Sequence, residues 1–179
     1  MIRYERSEVQ SAFRRFCPSF RARKLSEIVP SELVASGIKA VLLDVDNTLV
    51  NWKAMHIPEE TSAWIQDCMN AGLKLCLVSN TRNPARLHEL SNRLGIPYAR
   101  GKMKPSRQPF EDALRKVNAT VAEAVMVGDQ MFTDVWGGNR MGMITIWLEP
   151  RHSREFFGTK ISRVAEKAVG RLIERAKKH

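Results

Sequence analysis

From residue 38 onward, short β-branched apolar runs alternate with segments whose apolar residues recur at helical spacing. That pattern belongs to βαβ units around a parallel sheet. Residues 38–44, 73–79, 97–99, 124–129 and 143–148 read as strands. Residues 58–70 and 84–94 read as helices, each with proline in its first turn and glycine just past its end. Residues 105–117 and 135–140 are predicted as two more. The fold class is α/β, a mostly parallel sheet with helices on both faces, in a single domain spanning 1–179 whose core is 38–150.

Two flanks stand outside this alternation. Residues 1–37 hold Phe13, Phe16 and Phe20 among Arg14, Arg15, Arg21, Arg23 and Lys24, with Pro18 interrupting any single helix. In the flank 151–179, residues 160–177 set Ile161, Val164, Ala165, Ala168, Leu172 and Ile173 opposite Arg163, Lys167, Arg171 and Arg175, a basic amphipathic helix.

Composition narrows the classes. A chain of 179 residues, 44% hydrophobic, can bury a full core without covalent staples. No apolar run is long enough to cross a bilayer, and no apolar leader with a small-residue cleavage site follows the start. Cys17, Cys68 and Cys76 form no metal or disulfide pattern and read as small hydrophobes in a reducing compartment. A cytoplasmic location, with peripheral contact to membranes, is the expectation. The formal charge of +10 favours an anionic partner: a phosphorylated substrate, nucleic acid or an acidic lipid surface.

The first core strand ends in DVDNT, delivering Asp44 and Asp46 to the carboxyl edge, where open α/β sheets bind ligands. Residues two apart on an extended chain share a side, so both carboxylates can address one ligand. An Asp-x-Asp by itself equally suits a turn or cap. The second strand, however, ends in Ser79 followed by Asn80, a loop carries Lys104 within GKMKP, and the fourth strand runs into Asp129 and then Asp134 within GDQMFTD.

In that order, DVDNT, Ser79, Lys104 and GDQMFTD resemble the four motifs of the haloacid dehalogenase superfamily. The wording DVDNTLV, VSNTRN and GDQMFTDVWGGNRMG is similar to the YqeG family of subclass IIIA phosphatases, which is related to the mitochondrial phosphatidylglycerophosphate phosphatases. The resemblance covers residues 38–148 and implies a Rossmann-like fold and hydrolysis of a phosphate monoester. This is a reaction needing up to about 10²¹-fold acceleration. It implies Mg²⁺ held by Asp44, Asp129 and the Asp46 carbonyl, with Asp134 orienting ligands. Asp44 becomes the nucleophile and Asp46 the general acid and base, while Lys104 and Ser79 hold phosphoryl oxygens and Asn80 touches phosphate or leaving group.

Neither interval that carries a cap domain in such enzymes has room for one here, so the site is expected to be capless and open, suiting large substrates or a covering subunit in a homo-oligomer. Three functions follow in order. The first is a phosphatase on a large or membrane-presented monoester, with phosphatidylglycerophosphate suggested by the family alone. The second is a phosphatase on a soluble phosphometabolite or phosphoprotein. The third is a basic RNA- or assembly-binding protein with a vestigial site. Among neighbouring residues, Asn47 is expected in a left-handed turn, Thr48 to cap that turn through its hydroxyl, and Asn83 to cap the helix that Pro84 opens. Gly137 and Gly138 are expected to allow tight packing, and the scattered histidines to lie on the surface.

Overall fold

Strands β1 (Ile2–Arg3), β2 (Phe20–Ala22), β3 (Ala40–Leu43), β4 (Lys74–Leu77), β5 (Ala124–Gly128) and β6 (Ile144–Leu148) form one sheet in the order β1-β2-β6-β5-β3-β4. This is the arrangement in a computed structural model that describes residues 2–3, 13–149, 169 and 171. All pairings are parallel except β1 with β2. Central β3 is buried at all four positions, as a strand covered on both faces must be. Its alternation sorts the helices. Val41 and Leu43 face the layer containing α2 (Glu59–Asn70) and α3 (Pro84–Leu94), while Ala40 and Leu42 face α4 (Gln108–Val117).

Local chemistry explains the helix ends. Glu59 and Glu60 in the first turn of α2 complement the helix dipole. The Asn83 side chain accepts from the Arg86 N–H at 3.1 Å, the expected cap for α3. Helix α4 starts at Gln108, three residues later than predicted. A start at Pro105 would have put Pro109 in the helix interior, where its missing N–H breaks the ladder; the observed start keeps it in the first turn.

The predicted strand at 97–99 is reduced to one bridging pair, Leu77 with Tyr98. The predicted helix at 135–140 is preceded by a wide π-type turn, Met131–Val135, that runs into α5 (Trp136–Met141). Gly137 and Gly138 allow close approach as expected: added methyl groups would lie 2.5 Å from Phe110 and 2.6 Å from Thr145.

The N-terminal flank is part of the fold over its described length. Strand β2 pairs with β6, and Leu25, Ile28 and Leu33, the last on α1 (Pro30–Ala35), enter the core beneath α2. There the Trp64 Nε1–H donates to the Ile28 carbonyl at 2.8 Å. The Asn139 amide donates to the Arg15 and Cys17 carbonyls at 2.8 and 2.9 Å. The three cysteines are buried and form no disulfide among the described residues. The predicted C-terminal helix lies outside the described residues except for Val169 and Arg171; Val169 packs against Cys17. No described helix is long and apolar enough to cross a membrane.

Candidate active site

The carboxyl ends of β3, β4 and β5 converge where the connection from β3 leads to β4 on one side and that from β5 leads to β6 on the other, the switch point of an open α/β sheet. A cavity of about 590 Å³ opens there, lined by Asp44, Asp46, Ser79, Asn80 and Lys104 among others. Neither connection flanking it holds an inserted domain. Residues 50–77 contain a loop, α2 and β4, and residues 80–103 contain α3 and the single bridge.

Asp44 follows β3 directly, and its N–H donates to the Val127 carbonyl at 2.9 Å, fixing it beside β5. Its side chain is buried. Lys104 Nζ lies 2.5 Å from Asp44 Oδ1 and 2.7 Å from Asp134 Oδ1. Burial pushes the Asp44 carboxyl up to about 7, with Lys104 pulling it down and Asp134 pushing it further up. Burial by itself would lower the Lys104 pKa, but Asp134 and Asp44 together outweigh it and hold the ammonium above the ordinary lysine value.

Asp129, fully buried, follows β5, and its carbonyl accepts from Trp147 Nε1 at 2.9 Å. Asp134 sits on the π-type turn, where its Oδ2 accepts from the Gln130 N–H at 3.0 Å and its Oδ1 from the Thr133 hydroxyl at 3.3 Å. Widened turns of this kind occur often at functional sites. Carboxylate oxygens of Asp44, Asp129 and Asp134 all lie within 4.8 Å of one another.

These residues fit a hard divalent cation on their own chemistry. Asp44 Oδ2 is buried with no hydrogen-bond partner, a state that is expensive for a carboxylate oxygen unless a cation satisfies it. Three carboxylates against the single ammonium of Lys104 also leave two formal negative charges, and oxygen ligands are what such ions take.

Asn80 commits its amide to the Lys104 backbone, accepting from that N–H at 2.6 Å and donating to that carbonyl at 3.0 Å. It thereby ties the end of β4 to the lysine loop. Ser79 lines the cavity, and its Oγ accepts from the Thr81 N–H at 3.2 Å. Lys102, two residues before Lys104 in the same GKMKP loop, is exposed.

Asp46 also lines the cavity, but its carboxylate is not in the acidic trio. Arg86 grips it with two bonds, Nη2 to Oδ1 at 2.9 Å and Nη1 to Oδ2 at 3.1 Å, and the Lys53 N–H donates to Oδ1 at 2.8 Å. Arg86 is absent from the sequence-based site, although it shares the buried stripe of α3 with Leu90 four residues on, an odd place for an unpaired arginine.

Asn47 has φ 63°, as expected. Thr48 departs from expectation: its hydroxyl is buried and makes no hydrogen bond. The turn closes through backbone bonds from Leu49 and Val50 to the Val45 carbonyl, leaving nothing for a side-chain cap to satisfy. His56 and His88 are on the surface; His152 and His179 lie outside the described residues.

With this geometry in view, the family described as mitochondrial PGP phosphatase matches residues 6–151. The chain is 32% identical over 160 residues to the protein named probable phosphatase YqeG of Bacillus subtilis, covering 89% of this chain and 92% of that one. It is 27% identical over 166 residues to phosphatidylglycerophosphate phosphatase 1, chloroplastic/mitochondrial, of Arabidopsis thaliana, where it covers 88% of this chain but only 45% of the relative. A crystal structure of an uncharacterised protein from Listeria monocytogenes superposes with TM-score 0.52 at 18% identity, covering 76% of this chain and 99% of that one, which bears on the fold alone. The match across most of the chain, carried by a site in which Lys104 bridges two of three clustered aspartates, means that the chain belongs to the PGP phosphatase family of the haloacid dehalogenase superfamily and is a hydrolase of the phosphatase type.

Proposed function

We propose that the protein hydrolyses phosphatidylglycerophosphate at an anionic membrane surface, with Asp44 as nucleophile. The observation that carries the chemistry is the state of Asp44: buried at the carboxyl end of the central strand, with Oδ1 held by Lys104 and Oδ2 without a hydrogen-bond partner. The lipid assignment is supported by the family description and by the name of the Arabidopsis relative. Exposed Lys53 and Arg82 on the cavity wall suit a substrate carrying a second, diester phosphate.

Asp44, Asp129 and Asp134 would hold Mg²⁺, which when bound neutralises the charge of the phosphate dianion. The Asp44 carboxylate attacks phosphorus, the ester P–O bond breaks, and the departing alkoxide takes a proton from Asp46. Lys104 and the Ser79 hydroxyl donate to phosphoryl oxygens and keep the group in line. In the second half, Asp46 takes a proton from water as that water attacks the aspartyl-phosphate. The bond to Asp44 breaks, and inorganic phosphate leaves with both aspartates restored.

The test is phosphate release from phosphatidylglycerophosphate in anionic vesicles with Mg²⁺, run beside a panel of phosphosugars and nucleotides. Lipid turnover that Asp44→Asn abolishes is the expected result. Undiminished turnover by Asp44→Asn overturns the mechanism, and strong turnover of a soluble ester with none of the lipid overturns the substrate.

A further inference from the structure

The Arg86–Asp46 pair spans two elements that the chemistry needs in register. Asp46 rides on the loop leaving β3, which turns through left-handed positions at Asn47 and Lys53. Arg86 sits in the first turn of α3, the helix that begins four residues after Asn80, and its own backbone is held by the Asn83 cap. Besides its two bonds to Asp46, the guanidinium donates to the Ala54 carbonyl from Nη2 at 2.9 Å and from Nε at 3.3 Å. One planar group therefore fixes both ends of the segment 46–54.

The side chain is only 7% exposed. A buried two-pronged contact of this kind sets direction as well as charge, because the fork matches a carboxylate in one plane. Asp46 has further restraint from the Lys53 N–H, so its rotamer is determined from two sides.

We infer that Arg86 is a positioning residue for proton transfer: by clamping the Asp46 carboxylate from the first turn of α3, it aims that carboxylate at the leaving-group and water side of the site. The inference rests on the proton-transfer role proposed above for Asp46. The Arg86 guanidinium bonds to the Asp46 carboxylate and the Ala54 carbonyl, not to the carboxylates of the acidic trio. Its effect is confined to the steps in which Asp46 gives or takes a proton, namely departure of a poor leaving group and hydrolysis of the aspartyl-phosphate.

This confinement separates positioning from simple loop stapling. An aryl ester such as p-nitrophenyl phosphate expels a stable anion and does not need the acid, whereas an alkyl phosphate does. Arg86→Gln is expected to lower kcat/KM on an alkyl phosphate by about 10²-fold with KM little changed. On the aryl ester it is expected to give a rapid burst of about one p-nitrophenol per site followed by slow turnover. Arg86→Lys, which keeps the charge and loses the fork, is expected to match the parent's melting temperature more closely while remaining slow, and it carries the test if the glutamine variant does not fold. In an Asp46→Asn background either substitution should add little, since both act through one group.

Equal losses on alkyl and aryl esters without a burst overturn the inference, as does a double variant that loses the full product of the two single effects. If Asp46→Asn keeps full activity, the underlying proton-transfer role is what fails. If Asp46→Asn is crippled while both Arg86 variants match the parent, only the positioning role fails.

Discussion

Replacing Gly128 by alanine puts a methyl group where Asp134 already is. Gly128 ends β5 immediately before Asp129, and a Cβ built there lies 2.2 Å from Asp134 Oδ2, 2.5 Å from its Cγ and 2.8 Å from its Cβ. Ordinary carbon contacts begin near ~3.5 Å, so the carboxylate must retreat by roughly 1 Å. Three bonds oppose that retreat: the ion pair to Lys104 and those from the Gln130 N–H and Thr133 hydroxyl. The close approach to Asp134 Cβ means that a rotamer change alone does not relieve the clash.

Overpacking of this kind costs about 1–3 kcal/mol, and the loss of a charge-assisted bond adds about 1.5–3. A total of about 2.5–6 kcal/mol corresponds to a fall of roughly 5–20 °C in melting temperature for a domain of this size. Mg²⁺ affinity should fall at least ~10-fold, because one of the three clustered carboxylates is displaced. Thermal melts with and without Mg²⁺, together with calorimetric titration, measure both. Gly142→Ala is the control: its Cβ meets nothing closer than 3.8 Å and it strains only a helix end, so it should leave metal affinity alone. A Gly128→Ala protein that melts like the parent and binds Mg²⁺ equally well would refute the packing of Asp134 against β5.

Thr48→Val should raise the melting temperature by about 2–4 °C, since it removes a buried hydroxyl without a partner at nearly constant shape; a fall would show that the hydroxyl is bonded in solution. Metal-free protein should melt progressively lower as pH rises from about 4 to about 7. The Asp44 carboxyl is raised from 3.8 to about 7 in the fold, so the neutral form it favours is lost across that window. The depressed carboxyls of Glu123 and Asp112 act below that range, and Asp44→Asn should flatten the slope; a melting temperature in chelator that rises with pH contradicts this sign. Asn80→Ala removes both bonds to the Lys104 backbone and should cost about 1–3 kcal/mol in urea unfolding, along with a lower kcat; unchanged kcat would mean that Lys104 holds its place without the amide.

What could be read in advance was local. The core strands announce themselves as continuous apolar runs, and Pro84 with Gly95 brackets α3 as found. Asp44, Ser79 and Asp129 stand out because polar residues follow apolar strands at the one edge where a parallel sheet exposes them, and Lys104 and Asp134 through the motifs GKMKP and GDQMFTD. What escaped was non-local. Phe20, Arg21 and Ala22 carry no strand pattern of their own; they become a strand because Ile146, Trp147 and Leu148 offer an open edge more than a hundred residues away. The Arg86–Asp46 pair is separated by 40 positions, and neither residue's neighbours encode the other. The role of Asn80 as a clamp on Lys104 depends on a loop whose path no periodicity describes.

The same distinction changes what the charge of +10 means. Lys104 and Arg86 are buried and fixed to aspartates inside the site, so they add nothing to an external field. Lys39 with Glu123, and Arg115 and Lys116 with Asp112, are exposed surface pairs that hold their partners weakly. At the cavity itself, Lys53 and Arg82 are exposed, with Lys53 resting 4.4 Å over the Trp52 ring, and Met103 is more than half exposed on the same wall. On the proposed reading, an anionic headgroup meets these side chains at the mouth before its monoester reaches buried Lys104. Selection among phosphate esters then has to be made by the two loops around residues 47–53 and 101–104, because the groups beneath them serve any monoester alike.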